Sequence, residues 1–284
     1  MIHKNKECPK CREIGRDKKG DHLWLMSDGE TWCCLKPYHL PYYERDSIQV
    51  KEIDTMQVED IKQLPILGNK DRKISRETHQ RFKIRTECST ANGEPVAYYY
   101  PETSKGDFIG YKCRQLPKKF FSIKSDKAPA NSVPDFSGQH CCPASGRRIL
   151  ITGGEEDMLA AYEMLNEKYP DQEHAVVSLP RGEETSVATV AENLEFLKGF
   201  DEVIIATDMD APGRKAVDKL APLIGEKARV LVISEKDISD MRVKGKHKEF
   251  LHAYYSAKEH RPACIRSVTD ILDKAISPVQ WGLS

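Results

Sequence analysis

Two pairs of carboxylates, Glu155 with Asp157 and Asp208 with Asp210, each follow a short apolar run. The runs are Ile149-Leu150-Ile151-Thr152 and Val203-Ile204-Ile205-Ala206, with the length and β-branched content of buried strands. Residues two apart on an extended segment project to one side, so the two pairs are expected to converge at adjacent strand ends. Gathered carboxylates repel, and a hard divalent cation with oxygen ligands relieves that repulsion. The chemistry such a cluster suits is metal-assisted work on phosphate. Gly153-Gly154 turns the chain between the first strand and its acids, and Glu156, Glu183 and Glu184 are further acids nearby.

A second group is cationic. Lys112 and Arg114 alternate along the strand-like run Phe108 to Arg114, and Lys118 and Lys119 follow it. Alternation puts Lys112 and Arg114 on one face, where they can neutralise phosphates opposite the acids. As exposed cations they are expected to add little to stability.

A third group is a set of thiols. Cys8-Pro9-Lys10-Cys11 is followed after 21 residues by Cys33-Cys34 and then by His39. Two such knuckles give zinc its four soft or borderline ligands in a domain with little core. Cys33 or Cys34 is the third ligand and His39 the fourth. His22 to Met26 and Glu30 to Trp32 flank the turn residues Ser27-Asp28-Gly29, so the second knuckle rides on a β-hairpin. The unit is expected to be a zinc ribbon.

The elements that must hold these groups follow from periodicity. Residues 1–40 are the ribbon, and 41–71, polar and weakly periodic, read as a linker with a short helix near Val58 to Leu64. Residues 72–148 read as a basic α+β subdomain: a capped helix from Ser75 to Phe82, then strands around the Asn92-Gly93 turn and the Lys112 run. Residues 149–254 alternate strand and helix, which argues a parallel sheet in an α/β fold. Residues 255–284 read as helical.

Composition narrows the class. At 39% hydrophobic and 31% charged over 284 residues, the chain is globular with a sizeable core. Net charge is zero, so any nucleic-acid contact must come from a local patch. No run approaches the length of a membrane span, and the first residues lack a signal peptide's apolar region. In a reducing, cytoplasmic setting the nine cysteines are expected to be metal ligands or thiols.

Ile151-Thr152-Gly153-Gly154-Glu155-Glu156-Asp157-Met158-Leu159, Val177-Ser178-Leu179 and Asp208-Met209-Asp210-Ala211-Pro212-Gly213-Arg214-Lys215-Ala216-Val217 resemble the TOPRIM domain. Specifically, they resemble the primase half of T-odd bacteriophage primase–helicases, and more distantly the mitochondrial helicase Twinkle. The resemblance spans nearly the whole chain. It implies a DNA-dependent RNA primase that joins ribonucleoside triphosphates on a single-stranded DNA template, in the cytoplasm of a phage-infected bacterium. The partners it implies are a helicase domain and a DNA polymerase. It implies magnesium or manganese on Glu155, Asp157, Asp208, Asp210 and Asp237. It also implies nucleotide or template contacts from Lys112, Arg114, Lys118, Lys119 and Arg214, and zinc on Cys8, Cys11, His39 and, by alignment with the family, Cys33 rather than Cys34. The sequence carries no Gly-x-x-x-x-Gly-Lys-Ser/Thr, so the helicase motor is expected elsewhere.

One position departs from the family. Where the family's strand ends in a glutamate thought to act as general base, this chain has Gly153. That departure supports an alternative, a catalytically reduced primase-like module that binds single-stranded DNA and supports a helicase. A topoisomerase or nuclease use of TOPRIM acids is a third reading, against which the ribbon–basic–TOPRIM order stands.

Overall fold

The computed structural model describes residues 6–19, 22–25, 31–34, 42–45, 56–117, 119–129, 132–181, 186–207 and 211–259. The chain divides into two units, Met1–Thr55 and Met56–Ser284.

In the first unit, α1 (Pro9–Glu13) carries the first knuckle, and β1 (Trp24–Leu25), β2 (Thr31–Cys34) and β3 (Tyr42–Arg45) form an antiparallel sheet in that order. Trp24 pairs with Cys33 and Leu25 with Trp32, the expected hairpin. The third strand was not expected. Cys34 pairs with Tyr42 and Thr31 with Arg45, so the ribbon continues past residue 40.

The other end of the expected linker is also structured. The helix α2 (Val58–Gln63) buries Val58 and Ile61, three residues apart on one helical face, against Ala97, Tyr99, Tyr111 and Cys113. The short helix expected near Val58 to Leu64 is thus present, and it packs into the core of the second unit. The turn before α3 (Arg76–Arg81) is capped as expected: Ser75 Oγ accepts from Thr78 N–H at 3.1 Å.

Four antiparallel strands follow, β4 (Arg85–Cys88), β5 (Pro95–Ser104), β6 (Asp107–Gln115) and β7 (Lys119–Lys124), in sequence order. Their register decides which residues share a face. Tyr98 lies opposite Arg114, Tyr100 opposite Lys112, and Glu102 opposite Gly110. Arg114 lies opposite Phe120 and Lys112 opposite Ser122. Tyr98 and Tyr100 pack into the main core with Phe82, Ile84 and Met158, whereas Ala97, Tyr99 and Tyr111 face α2. Gly110 adopts φ 149°, and a Cβ there would meet the Ile123 carbonyl at 2.2 Å, so β6 and β7 can approach only with glycine at this point.

The second sheet is built from β8 (Gly146–Thr152), α4 (Glu155–Lys168), β9 (Ala175–Ser178), α5 (Ser186–Glu192), α6 (Leu194–Lys198), β10 (Phe200–Ala206), α7 (Ala211–Ile224), β11 (Ala228–Val230), α8 (Ile238–Val243), α9 (His247–Tyr255) and β12 (Lys258–Glu259). Its order is β12-β11-β10-β8-β9, parallel except for the edge strand β12. Both faces are covered, which is why these strands read as continuous apolar runs. Leu150 and Ile204 face α4, α8 and α9, with Leu159, Met241 and Phe250. Ile149, Ile151, Val203 and Ile205 face the other way, onto Val190, Leu197, Val217 and Leu220.

The apolar patterning of the sequence predicts a helix across Val187 to Leu197, a strand from Arg229 to Ile233, and helices from Phe250 and over Cys264 to Ile276. The first is broken at Asn193, whose side-chain amide donates to the Thr189 carbonyl at 2.9 Å. The strand ends at Val230. The helix at Phe250 begins three residues earlier, at His247. Residues 264–276 lie outside the described residues. Among the described residues no helix is long and apolar enough to cross a membrane.

Candidate active site and metal centre

In the first unit the Sγ atoms of Cys8, Cys11 and Cys34 lie within 4.8 Å of one another, all buried. Cys11 and Cys34 sulfurs are 3.7 Å apart. Sulfurs held tetrahedrally at zinc–sulfur distances of about 2.3 Å would be separated by about 3.8 Å, so the donor set and spacing suit zinc. Burial, then the neighbouring Cys34 and Cys8, pushes the Cys11 thiol up to about 12, the strain that a cation among thiolates relieves. The third sulfur is therefore Cys34 and not the favoured Cys33. Consecutive residues of β2 point to opposite faces, and only Cys34 is on the face of the first knuckle. His39 lies outside the described residues. Sequence reasoning missed Asp17, whose buried Oδ2 accepts from Cys8 N–H at 2.7 Å and fixes the knuckle.

In the second unit the order β9-β8-β10 places the chain's change of direction between β8 and β10. Ligands of open α/β sheets sit at the carboxyl ends of strands beside such a switch point. The acids after β8 do lie there, but not on an extended segment. Glu155, Glu156 and Asp157 form the first turn of α4, a position favoured by the helix dipole. At about 100° per residue, successive helical side chains diverge, so Glu155 and Asp157 do not project together as expected.

Glu155 turns toward the antiparallel sheet. Its Oε1 accepts from Lys112 Nζ at 2.6 Å and from Ser137 Oγ at 3.1 Å. Glu156 accepts from Tyr100 OH at 2.9 Å, pairs with Arg114 Nη1 at 3.1 Å, and accepts from the Asn69 amide at 3.4 Å. Burial, then Glu156, holds the Tyr100 hydroxyl well above its ordinary value, so it donates. Asp157 turns toward α8, where its Oδ1 accepts from Ser239 N–H at 2.9 Å. Asp237 caps that helix, its Oδ1 accepting from Asp240 N–H at 2.7 Å. Asp237 thus has a capping role in this structure. Asp208, Asp210, Glu183 and Glu184 lie outside the described residues.

The donors suit a hard divalent ion. Magnesium takes oxygens, keeps several waters, and needs only one or two carboxylates; Glu155 and Asp157 both stand at the start of α4 but turn to different neighbours, so each could offer an oxygen on its own side. The Glu155 oxygen is already neutralised by Lys112, so an ion there would exchange with an ammonium.

Lys112 and Arg114 share one face, as alternation requires, and both are paired rather than exposed: their side chains are 13% and 18% accessible. The expectation that they contribute little to stability does not hold for such buried pairs. Lys119 is not with them. It lies opposite Gln115, on the alternate face of β7. Arg214 is exposed on the first turn of α7. Lys118 lies outside the described residues.

A cavity of about 460 Å³ opens beside the Lys112–Glu155 pair, lined by Lys112, Phe120, Ser122, Gly153, Glu155 and Arg181 among others. Behind it, Glu102 is buried and its Oε1 lacks a hydrogen-bond partner among the described residues. Burial raises its acid pKa, and Arg181 pulls it partly back. Tyr100, Glu102 and Phe120 were missed because they are not charged runs. No sequence signal placed them: the register shifts by one between Glu102 and Thr103, so counting outward from the Lys105-Gly106 turn would have put Tyr100 and Glu102 on the face opposite Lys112.

A parallel sheet with acids at its switch point, beside an antiparallel sheet whose cations pair with those acids, is a Toprim-type architecture. Residues 150–242 match the Toprim-like family model. The chain is 31% identical over 205 residues to the DNA helicase/primase of enterobacteria phage T3, a match covering 72% of this chain and 34% of that protein. It thus spans about a third of that relative. The primase fragment of the bacteriophage T7 primase–helicase superposes with a TM-score of 0.58 at 25% identity, over 89% of this chain and 99% of the fragment. A primase domain in a complex of T7 lagging-strand DNA polymerase with an RNA/DNA hybrid superposes with a TM-score of 0.59 at 28% identity, over 69% of this chain and 94% of that one. The chain is related to the primase half of the T3/T7-type phage primase–helicases.

Proposed function

We propose that this chain is a DNA-dependent RNA primase that joins ribonucleoside triphosphates on a single-stranded DNA template. The observation that carries the reading is the meeting of Lys112 with Glu155 at the β8/β10 switch point, in a chain related to phage primases over most of its length.

The roles follow from placement. Lys112, Arg114 and Arg181 receive phosphate charge. Ser137 and Lys112 orient Glu155. Glu155 and Asp157, with Asp208 and Asp210 that follow β10 in sequence, hold magnesium or manganese. When bound, such an ion polarises the α-phosphate and stabilises the leaving pyrophosphate. Arg214 meets template or nucleotide beyond the cavity. Zinc on Cys8, Cys11, Cys34 and His39 folds the unit that reads the template. A helicase domain and a replicative DNA polymerase are the partners, in the cytoplasm of an infected bacterium.

Incorporation of labelled ribonucleotides on a library of short single-stranded templates tests this. Short RNA products that require both template and divalent ion are expected. No product on any template, with magnesium or with manganese, overturns the reading.

A further inference from the structure

Phe120 is out of place for a hydrophobic side chain. It is 45% exposed on the edge strand β7, while its neighbours Phe121 and Ile123 turn to the opposite face and pack with the α2 cluster. Lys112 Nζ lies 5.4 Å and Arg114 Cζ 5.7 Å from the Phe120 ring centre, within cation–π range. Each of these cations is itself held by a carboxylate, Glu155 or Glu156. The ring is therefore fixed by groups that are fixed, and little further order is lost when something lies against it.

The cavity beside that ring is about 460 Å³, within the range of small-ligand sites. Its wall across from β7 includes Gly153 and Gly154, which bring backbone and no side chain. Its rim carries Lys112 and Arg181. A flat apolar surface, an opposing wall built in part from glycine backbone beside Pro180, and a rim whose two cations outnumber the Glu155 carboxylate are complementary to a planar heterocycle bearing phosphates.

We propose that Phe120 is the stacking platform for the base of a nucleotide whose phosphates meet Lys112, Arg114 and Arg181. The proposal rests on the nucleotide-joining function and deepens it. A π-face is common to all four bases, so the platform binds every nucleotide and leaves the choice of base to the template. In this arrangement Gly153 makes room for the base.

Isothermal titration of the full chain with ATP, UTP and inorganic tripolyphosphate, in magnesium, tests it. Phe120→Ala is expected to weaken ATP and UTP by between about fivefold and about a hundredfold, the range for loss of one stacked base. It should leave tripolyphosphate affinity unchanged. Phe120→Trp should retain nucleotide affinity, with added fluorescence quenched by ATP and not by tripolyphosphate. The proposal is overturned if Phe120→Ala binds ATP as the parent does, or loses ATP and tripolyphosphate equally. Both of those outcomes leave the primase reading standing. A parent chain that binds neither ATP nor tripolyphosphate overturns both.

Discussion

Lys112 on β6 and Glu155 at the start of α4 form an ion pair of 2.6 Å, with side chains 13% and 5% accessible. The pair joins the antiparallel sheet to the parallel one at the point where a ligand would enter. Removing either member leaves the other charged and nearly buried, which typically costs about 3–5 kcal/mol. Lys112→Ala and Glu155→Gln are each expected to lose stability of that order in urea unfolding. The double variant Lys112→Met with Glu155→Gln should recover much of it. Additive losses would mean that the two groups are not coupled.

Cys33 and Cys34 are adjacent, buried, and on opposite faces of β2. Cys34→Ser is expected to abolish zinc retention after chelator washing. Cys33→Ser should keep one zinc per chain by elemental analysis. Loss of the metal should unfold the residue 1–55 unit, because binding energy is folding energy in such small units. The Tm of the 56–284 unit should not move. Equal zinc loss in both variants would contradict the assignment.

His79 is buried against Tyr98, ring centres 5.6 Å apart, and burial lowers its pKa from 6.5 to about 4. The unfolded chain binds a proton at a higher pH than the native one does. Stability from this group is complete above about 6.5 and is lost as pH falls toward 4. That difference corresponds to about 3 kcal/mol. His79→Phe, which keeps an aromatic edge for Tyr98, should flatten the fall in stability between those pH values. An unchanged slope in urea titrations at pH 7, 5.5 and 4 would remove His79 as its source.

The sequence was most legible where one force dominates. Val203 to Ala206 and Ile149 to Thr152 are apolar on both faces, so strand, depth and parallel pairing all followed from composition. The thiol spacing located the thiol cluster, yet the choice between Cys33 and Cys34 depends on strand phase, which a two-residue run cannot reveal. Glu155 and Asp157 were correctly placed at a strand end but wrongly aimed, because whether a helix starts at residue 155 or a turn later decides where they point. The face taken by Lys119 was illegible for a similar reason: β7 begins there, and one residue of register sends a side chain to the other face. Glu156 looked surplus and proved to be the partner of Arg114 and Tyr100. Such pairings between distant segments depend on how two sheets meet.

The same lysine separates metal binding from nucleotide binding. In the described structure its ammonium occupies Glu155 Oε1, so a divalent ion at Glu155 must displace it. Lys112→Ala removes that competitor and a repelling charge only a few ångströms from the site. Manganese affinity is therefore expected to rise by at least about tenfold, while affinity for triphosphate falls. The two effects have opposite signs, and general damage to the fold would not produce that. Manganese should also restore stability selectively. At a hundred times its dissociation constant it adds about 2.7 kcal/mol to the folded state, enough to offset most of the lost ion pair. Manganese titration followed by electron paramagnetic resonance, with thermal melts in parallel, reads both quantities. If manganese affinity is the same in the parent, Lys112→Ala and Glu155→Gln, then Glu155 is not a metal ligand. In that case the Lys112–Glu155 pair only holds the two sheets together.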